Sequence, residues 1–172
     1  TVGHFKSMQE NLVKYLAGLC DSDGSFSFKF NPTKNGHRLH LLLHLTAAES
    51  IDKKGSFVKS LPELTGVGKV TSRKRNNWAI VNQWQVQSKS DLEEILSKMI
   101  KHMIIKASHW QALRDAYKNV EGKDLNEEDV NKLKTFSKNS RRNIKPLSPK
   151  FKPDWSWLAG YLDGDGSFMF KK

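Results

Sequence analysis

Acidic residues are scarce in this chain: 18 Asp and Glu stand against 29 Lys and Arg in 172 residues, leaving a formal net charge of +11. A chain that lies along phosphates carries such a surplus, but ribosomal and membrane-surface proteins share it, so charge alone leaves the partner open. Cysteine is nearly absent. The single Cys20 cannot form an internal disulfide, and its apolar surroundings make it a buried small hydrophobe in a reducing compartment. Long apolar runs are lacking too, which excludes a membrane-spanning helix. The amino terminus lacks the charged, apolar and small-residue succession of a signal peptide, so the chain reads as soluble. The six histidines show no paired metal-ligand spacing, and His102 and His109 read as helix-surface residues rather than zinc ligands. What is present suits a folded body: 37% hydrophobic residues, with five Trp and nine Phe, can furnish a core for one domain or one and a fraction.

One eleven-residue element occurs twice, as Leu16-Ala17-Gly18-Leu19-Cys20-Asp21-Ser22-Asp23-Gly24-Ser25-Phe26 and Leu158-Ala159-Gly160-Tyr161-Leu162-Asp163-Gly164-Asp165-Gly166-Ser167-Phe168. Met8, Leu12, Tyr15, Leu16 and Leu19 recur at helical spacing, as do Trp155, Leu158 and Leu162. Each copy therefore predicts a helix with one apolar face, and the Ala17-Gly18 and Ala159-Gly160 pairs would let a neighbouring helix approach closely. Packed side by side and parallel, the two helices would bring Asp23 beside Asp165. Carboxylates gathered at helix C-termini repel one another and oppose the dipoles, so a divalent cation would stabilise them. Mg²⁺ fits, because it takes one or two carboxylates plus carbonyls and waters.

On these residues both segments resemble the signature of the LAGLIDADG homing endonucleases, with the spacing of the two-motif, single-chain members. The resemblance implies an α+β fold. Each half would be αββαββα with a saddle-shaped antiparallel sheet, and the two signature helices would form the interface between halves. It also implies that the last acid of each motif, Asp23 and Asp165, binds the DNA-cleaving metal, with the carbonyls of Ser22 and Gly164 as supplementary ligands. Asp21 and Asp163 then become turn and capping residues. The basic residue expected beside the metals matches Lys106, with Lys101 as the fallback. A polar residue often closes the family's second strand; here the stretch reads Leu45-Thr46-Ala47-Ala48-Glu49, leaving Thr46 or Glu49 to substitute.

Between the motifs the order reads strand, strand, helix, strand, strand, helix. Phe26, Phe28 and Phe30 alternate with Ser25, Ser27, Lys29 and Asn31, and Leu39, Leu41, Leu43 and Leu45 alternate with Arg38, His40, Leu42 and His44. Residues 31–36 are expected to form the connecting loop, 51–61 a helix ended by Pro62, 68–74 and 78–87 a second strand pair joined by Asn76-Asn77, and 90–100 and 106–120 helices. Long amide and cationic side chains match base edges and phosphates. The resemblance makes Ser27, Lys29, Asn31, Arg38, His40, His44, Lys69, Thr71, Arg73, Gln83 and Gln85 the DNA-binding set. Leu42 is out of place on that face; contact with a thymine methyl or a local bulge would account for it.

Residues 124–139 predict a further helix introduced by Asp124, completing a first half over 1–139. A basic, proline-containing linker over 140–153 leads to the signature helix and first strand of an incomplete second half at 154–172. The expected function is a divalent-metal, site-specific endonuclease acting on double-stranded DNA, with a complementary polypeptide supplying the rest of the second half. Intron RNA binding as a maturase, or an inactive role in a ribonucleoprotein, is the alternative. The resemblance further implies an intron-encoded protein of a mitochondrion or chloroplast.

Overall fold

Period-two alternation builds a hairpin from Ser25–Thr33 (β1) and Gly36–Ser50 (β2), in antiparallel register from Ser25↔His44 to Thr33↔Gly36. The computed structural model describes residues 9–50, 57–75, 77, 79–145 and 153–165, with the side chains of Glu49, Ser50 and Asp165 outside that set. The loop expected over 31–36 contracts to Lys34-Asn35, because both strands continue to the turn. Pro32 is accommodated because β1 is an edge strand, where a missing N–H breaks no ladder bond on the free side. Lys69–Lys74 (β3) and Ala79–Val86 (β4) complete an antiparallel sheet in the order β1-β2-β4-β3. The β1–β2 register runs unbroken through Ser27↔Leu42, so there is no bulge at Leu42 and it stands on the polar face.

The sheet's other face is the core. Phe26, Leu43, Leu45, Trp84 and Val86 pack there against helices, and Trp84 is fully buried, its indole Nε1 donating to Val67 O at 3.0 Å. Each such side chain contributes about 1.5–3 kcal/mol by leaving water. The helices are Glu10–Ser22 (α1), Phe57–Thr65 (α2), Lys89–Met99 (α3), Ala107–Val120 (α4), Glu127–Arg142 (α5) and Trp155–Asp165 (α6), with a 3-10 turn at Ile100–His102.

Three boundaries differ from expectation. Pro62 lies inside α2 instead of ending it; the helix continues to Thr65, whose hydroxyl donates to Leu61 O, and stops at Gly66 with φ 74°. Asp124 does not start α5. Asn126 caps it, accepting from Asp129 N at 2.9 Å, while Asp124 receives Thr33 Oγ1 and Arg38 Nε across the hairpin. α5 also runs through Arg142, well past 139, since its last turn is cationic and suits the helix dipole. Met8, residues 51–56, Asn76, most of the expected linker (146–152) and the expected final strand (166–172) lie outside the described residues. Among the described residues no helix is long and apolar enough to cross a membrane.

Candidate functional site

α1 and α6 run side by side and parallel. Lys14 Nζ meets Asp154 at 2.9 Å near their N-terminal ends, and Gly164 lies against Ser22 and Asp23 at their C-terminal ends. The glycines set this crossing. A Cβ on Gly18 would stand 2.0 Å from Trp157 O, and one on Gly160 would stand 1.9 Å from Tyr15 O. Ala17 and Ala159 do not share that role: Ala17 is buried among the first half's core residues and Ala159 is exposed. The duplication thus has a near-symmetric contact. Trp157 Nε1 donates to Asp21 Oδ2 at 3.1 Å, while the equivalent Tyr15 hydroxyl donates to Asp163 Oδ2 at 2.7 Å. Burial and that carboxylate together push the Tyr15 phenol above its usual pKa.

Asp21 is the buried hub of the site. Besides the indole it accepts from the backbone N–H of Ile104 at 2.6 Å and of Lys106 at 2.8 Å, capping the start of α4 from another helix. The capping role expected for Asp21 is present, directed at a distant element and not at its own turn. Asp21→Asn keeps the volume but sets an amide N–H₂ against a backbone N–H. The change should lower unfolding free energy by about 2–3 kcal/mol in urea denaturation, since buried donors lose their acceptor.

The hub delivers Lys106. Its ammonium donates to Gly24 O at 2.7 Å and to Ser22 O, so it encloses the turn that carries Asp23. Ser22, Asp23, Gly24, Ser25, Lys106, His109 and Arg141 surround one open cavity of about 420 Å³. The fallback, Lys101, is elsewhere: it is among the charges acting on Glu10, at the opposite end of α1. A Cβ on Gly164 would lie 3.4 Å from Asp23 Cγ, which puts the residue before Asp165 against the first motif's acid; the Asp165 side chain lies outside the described residues. The donors that line this cavity are hard oxygen, from Asp23 and from Ser22, whose carbonyl also accepts from Lys106 Nζ, while Gly164 stands against Asp23 from the second helix. Such donors fit Mg²⁺ or Ca²⁺ better than softer metals. No cluster of three or more His, Cys, Asp or Glu side chains occurs among the described residues.

His109 is not the helix-surface residue that was expected. It is buried between β1, α4 and α5, with Nε2 3.3 Å from Phe26 O and Nδ1 3.0 Å from Ser140 Oγ. His102 is likewise half-buried, its Nε2 without a partner among the described residues. Burial lowers the His109 pKa below 6.5, the Phe26 carbonyl opposes that shift, and Arg141 and Lys106 add to it. The unfolded chain therefore binds this proton first. The stabilisation is complete above pH 6.5 and is lost as pH falls from there through the folded value; His44 and His102, also shifted down by burial, act in the same direction. Thermal unfolding followed from pH 7.5 downward should show a falling Tm, with a shallower fall in His109→Gln.

The eleven residues expected on the polar face are all there. Ser27, Lys29, Asn31, Arg38, His40, His44, Lys69, Thr71, Arg73, Gln83 and Gln85 share the face opposite Trp84 through continuous registers, including Lys29↔His40, His44↔Gln85 and Lys69↔Gln85. A hydrogen-bonded row crosses it. Lys29 Nζ donates to Gln87 Oε1 at 3.1 Å, Gln87 to Gln85 at 3.0 Å, Gln85 to Gln83, and Gln83 Nε2 to Thr46 Oγ1 at 3.0 Å. Thr46, one of the two substitutes for the missing polar residue, is thus tied into the row, while the Glu49 side chain lies outside the described residues. Gln87 escaped the sequence-based set although its period-two spacing from Gln85 signalled it. Arg141 escaped too, and nothing local to it points to the cavity.

A family model described as LAGLIDADG endonuclease matches residues 16–120. Similar solved structures include the meganuclease I-CpaMI bound to uncleaved DNA (TM-score 0.61, 16% identity, 88% of this chain and 57% of that one). I-SmaMI bound to an uncleaved DNA target in the presence of calcium ions has a TM-score of 0.58 and 17% identity over the same shares. I-GzeII in complex with its DNA target has a TM-score of 0.56 and 16% identity, over 88% of this chain and 58% of that one. The chain thus spans less than two thirds of the length of these structures. No curated protein matches it in sequence.

Proposed function

Because this chain belongs to the LAGLIDADG endonuclease family, we propose that it acts in a two-half, site-specific endonuclease that hydrolyses phosphodiester bonds of a long double-stranded DNA site with a divalent cation, Mg²⁺ by preference. The carrying observation is the convergence of Asp23, Gly164 and Lys106 where two parallel signature helices end. Asp23 and Asp165, with the Ser22 and Gly164 carbonyls, would hold the ion. Such an ion supplies an activated water and neutralises charge on the scissile phosphate.

The chain's own groups do the rest. Asp21 fixes the start of α4, and Lys106 braces the 22–24 turn and sets a positive charge beside the phosphate position. The polar face of the sheet docks the duplex, and its amide row offers the remaining donors and acceptors of Gln83, Gln85 and Gln87 to base edges. Leu42 gives that face an apolar point suited to a thymine methyl.

A second body completes the assembly. By the repeat, Trp155 of α6 corresponds to Val13 of α1, yet Trp155 is 84% exposed where Val13 is 5% exposed. A further polypeptide segment covering α6 as the first half's core covers α1 would remove that exposed indole. Selection from a randomised duplex library tests the reading: the chain should enrich a defined half-site, with affinity falling steeply as salt rises. Enrichment of no sequence, or tighter binding to structured RNA than to duplex, would overturn it in favour of a maturase or structural role.

A further inference from the structure

α5 has two unlike flanks. Val130 and Leu133 anchor it in the small cluster with Leu39 and Leu125, and Ser140 ties it to His109. The flank turned toward the free edge of β1 carries Lys134, Lys138, Arg141 and Arg142, all exposed. With Ser25 and Ser27 of β1 these four cations line a trough of about 440 Å³. The trough shares Ser25, Phe26 and Arg141 with the cavity that holds Asp23 and Lys106, so the two are continuous.

The helix dipole accounts for part of this charge only. Arg141 and Arg142 sit in the last turn, where a cation offsets the C-terminal partial charge, but Lys134 and Lys138 lie before it. The acids of α5 are confined to Glu127, Glu128 and Asp129 in the first turn, and Glu128 pairs with Lys132 at 2.7 Å. Among the described residues no carboxylate pairs with any of the four trough cations; Lys134 stands 5.7 Å over the Phe30 ring. Four like charges along one flank repel one another, and a polyanion laid along them relieves the repulsion.

We propose that this flank is a phosphate-binding wall, holding the sugar-phosphate backbone of duplex DNA as one strand leaves the sheet at β1 and passes toward Asp23. The wall contacts no base, so it adds affinity and orientation without sequence preference. This rests on the DNA-binding reading above.

The test compares two four-site variants that lose equal charge. Lys134→Gln, Lys138→Gln, Arg141→Gln and Arg142→Gln together empty the trough; Lys59→Gln, Lys118→Gln, Lys123→Gln and Lys132→Gln remove exposed charge elsewhere. All eight sites are exposed, and circular dichroism verifies folding. The slope of log affinity against log salt should shallow by about 3.6 in the trough variant, since each of the four lost phosphate contacts removes about 0.9, with affinity near 0.1 M salt falling about 1,000-fold or more. The control should change slope by less than about 1. Equal slopes in the two variants overturn this inference alone. A wild-type chain that does not bind duplex DNA overturns the functional reading beneath it.

Discussion

Adding one methyl group at Gly18 should detach α6 from α1 while leaving the sheet folded. The new Cβ would lie 2.0 Å from Trp157 O, 2.8 Å from Trp157 C and 2.9 Å from Tyr161 N, all backbone atoms that cannot swing aside. Overpacking a close contact costs about 1–3 kcal/mol when side chains can adjust, and a backbone obstacle puts Gly18→Ala at or beyond the upper limit. The helices must separate, and with them go the Trp157–Asp21 and Tyr15–Asp163 hydrogen bonds. α1 keeps its other face, because Leu16, Ala17 and Cys20 are buried in the first half's core. Hydrogen exchange should therefore show lost protection at residues 155–165 with β2 and β4 still protected. Gly160→Ala should do the same from the opposite side, its Cβ meeting Tyr15 O at 1.9 Å. Wild-type protection of α6 in either variant would refute the close crossing.

Asp23→Asn should abolish DNA cleavage by the assembled enzyme and leave DNA binding intact. The substitution keeps shape and removes the negative charge that attracts a hard divalent cation. If that cation stabilises the transition state, its loss should slow cleavage by more than about 1,000-fold, equivalent to roughly 4 kcal/mol of barrier. On the proposed function, binding would rest on the polar face of the sheet, so affinity should stay within about threefold or rise slightly, since a carboxylate facing phosphates would be removed. Measuring cleavage rate and Kd on one duplex separates the two. Cleavage within tenfold of wild type, or a parallel loss of affinity, would show that Asp23 serves another purpose.

Much of this arrangement is written locally in the chain. The repeat predicts two equivalent helices ending in acids, and α1 and α6 end at Ser22 and Asp165 as it requires. The alternation of residues 25–31 and 38–46 assigns the candidate contacts of the first hairpin to the face on which they are found, because side chains in a strand can point only two ways. The expectation for His109 failed: without a metal-ligand partner in sequence it read as a helix-surface residue, and it is buried. Its burial depends on a carbonyl 83 residues away and a hydroxyl 31 residues away, partners that helical spacing cannot reveal. Pro62 misled in a similar way: the penalty for a missing N–H is real but local, and packing of Val58, Leu61 and Thr65 overrides it.

Periodicity and duplication alone indicated where helices occur, the two faces of the first hairpin and the pairing of acids with glycine-bearing interfaces, because each is a pattern within a few residues. Tertiary structure alone decided which acid is buried and which is open. Asp21 and Asp23 stand two positions apart in the same motif, yet one is sealed under Trp157 and the start of α4, and the other faces an open cavity with Lys106. That division follows from contacts spanning 85 and 136 residues, and such contacts exist only once the helices have packed and excluded water from one side of the turn.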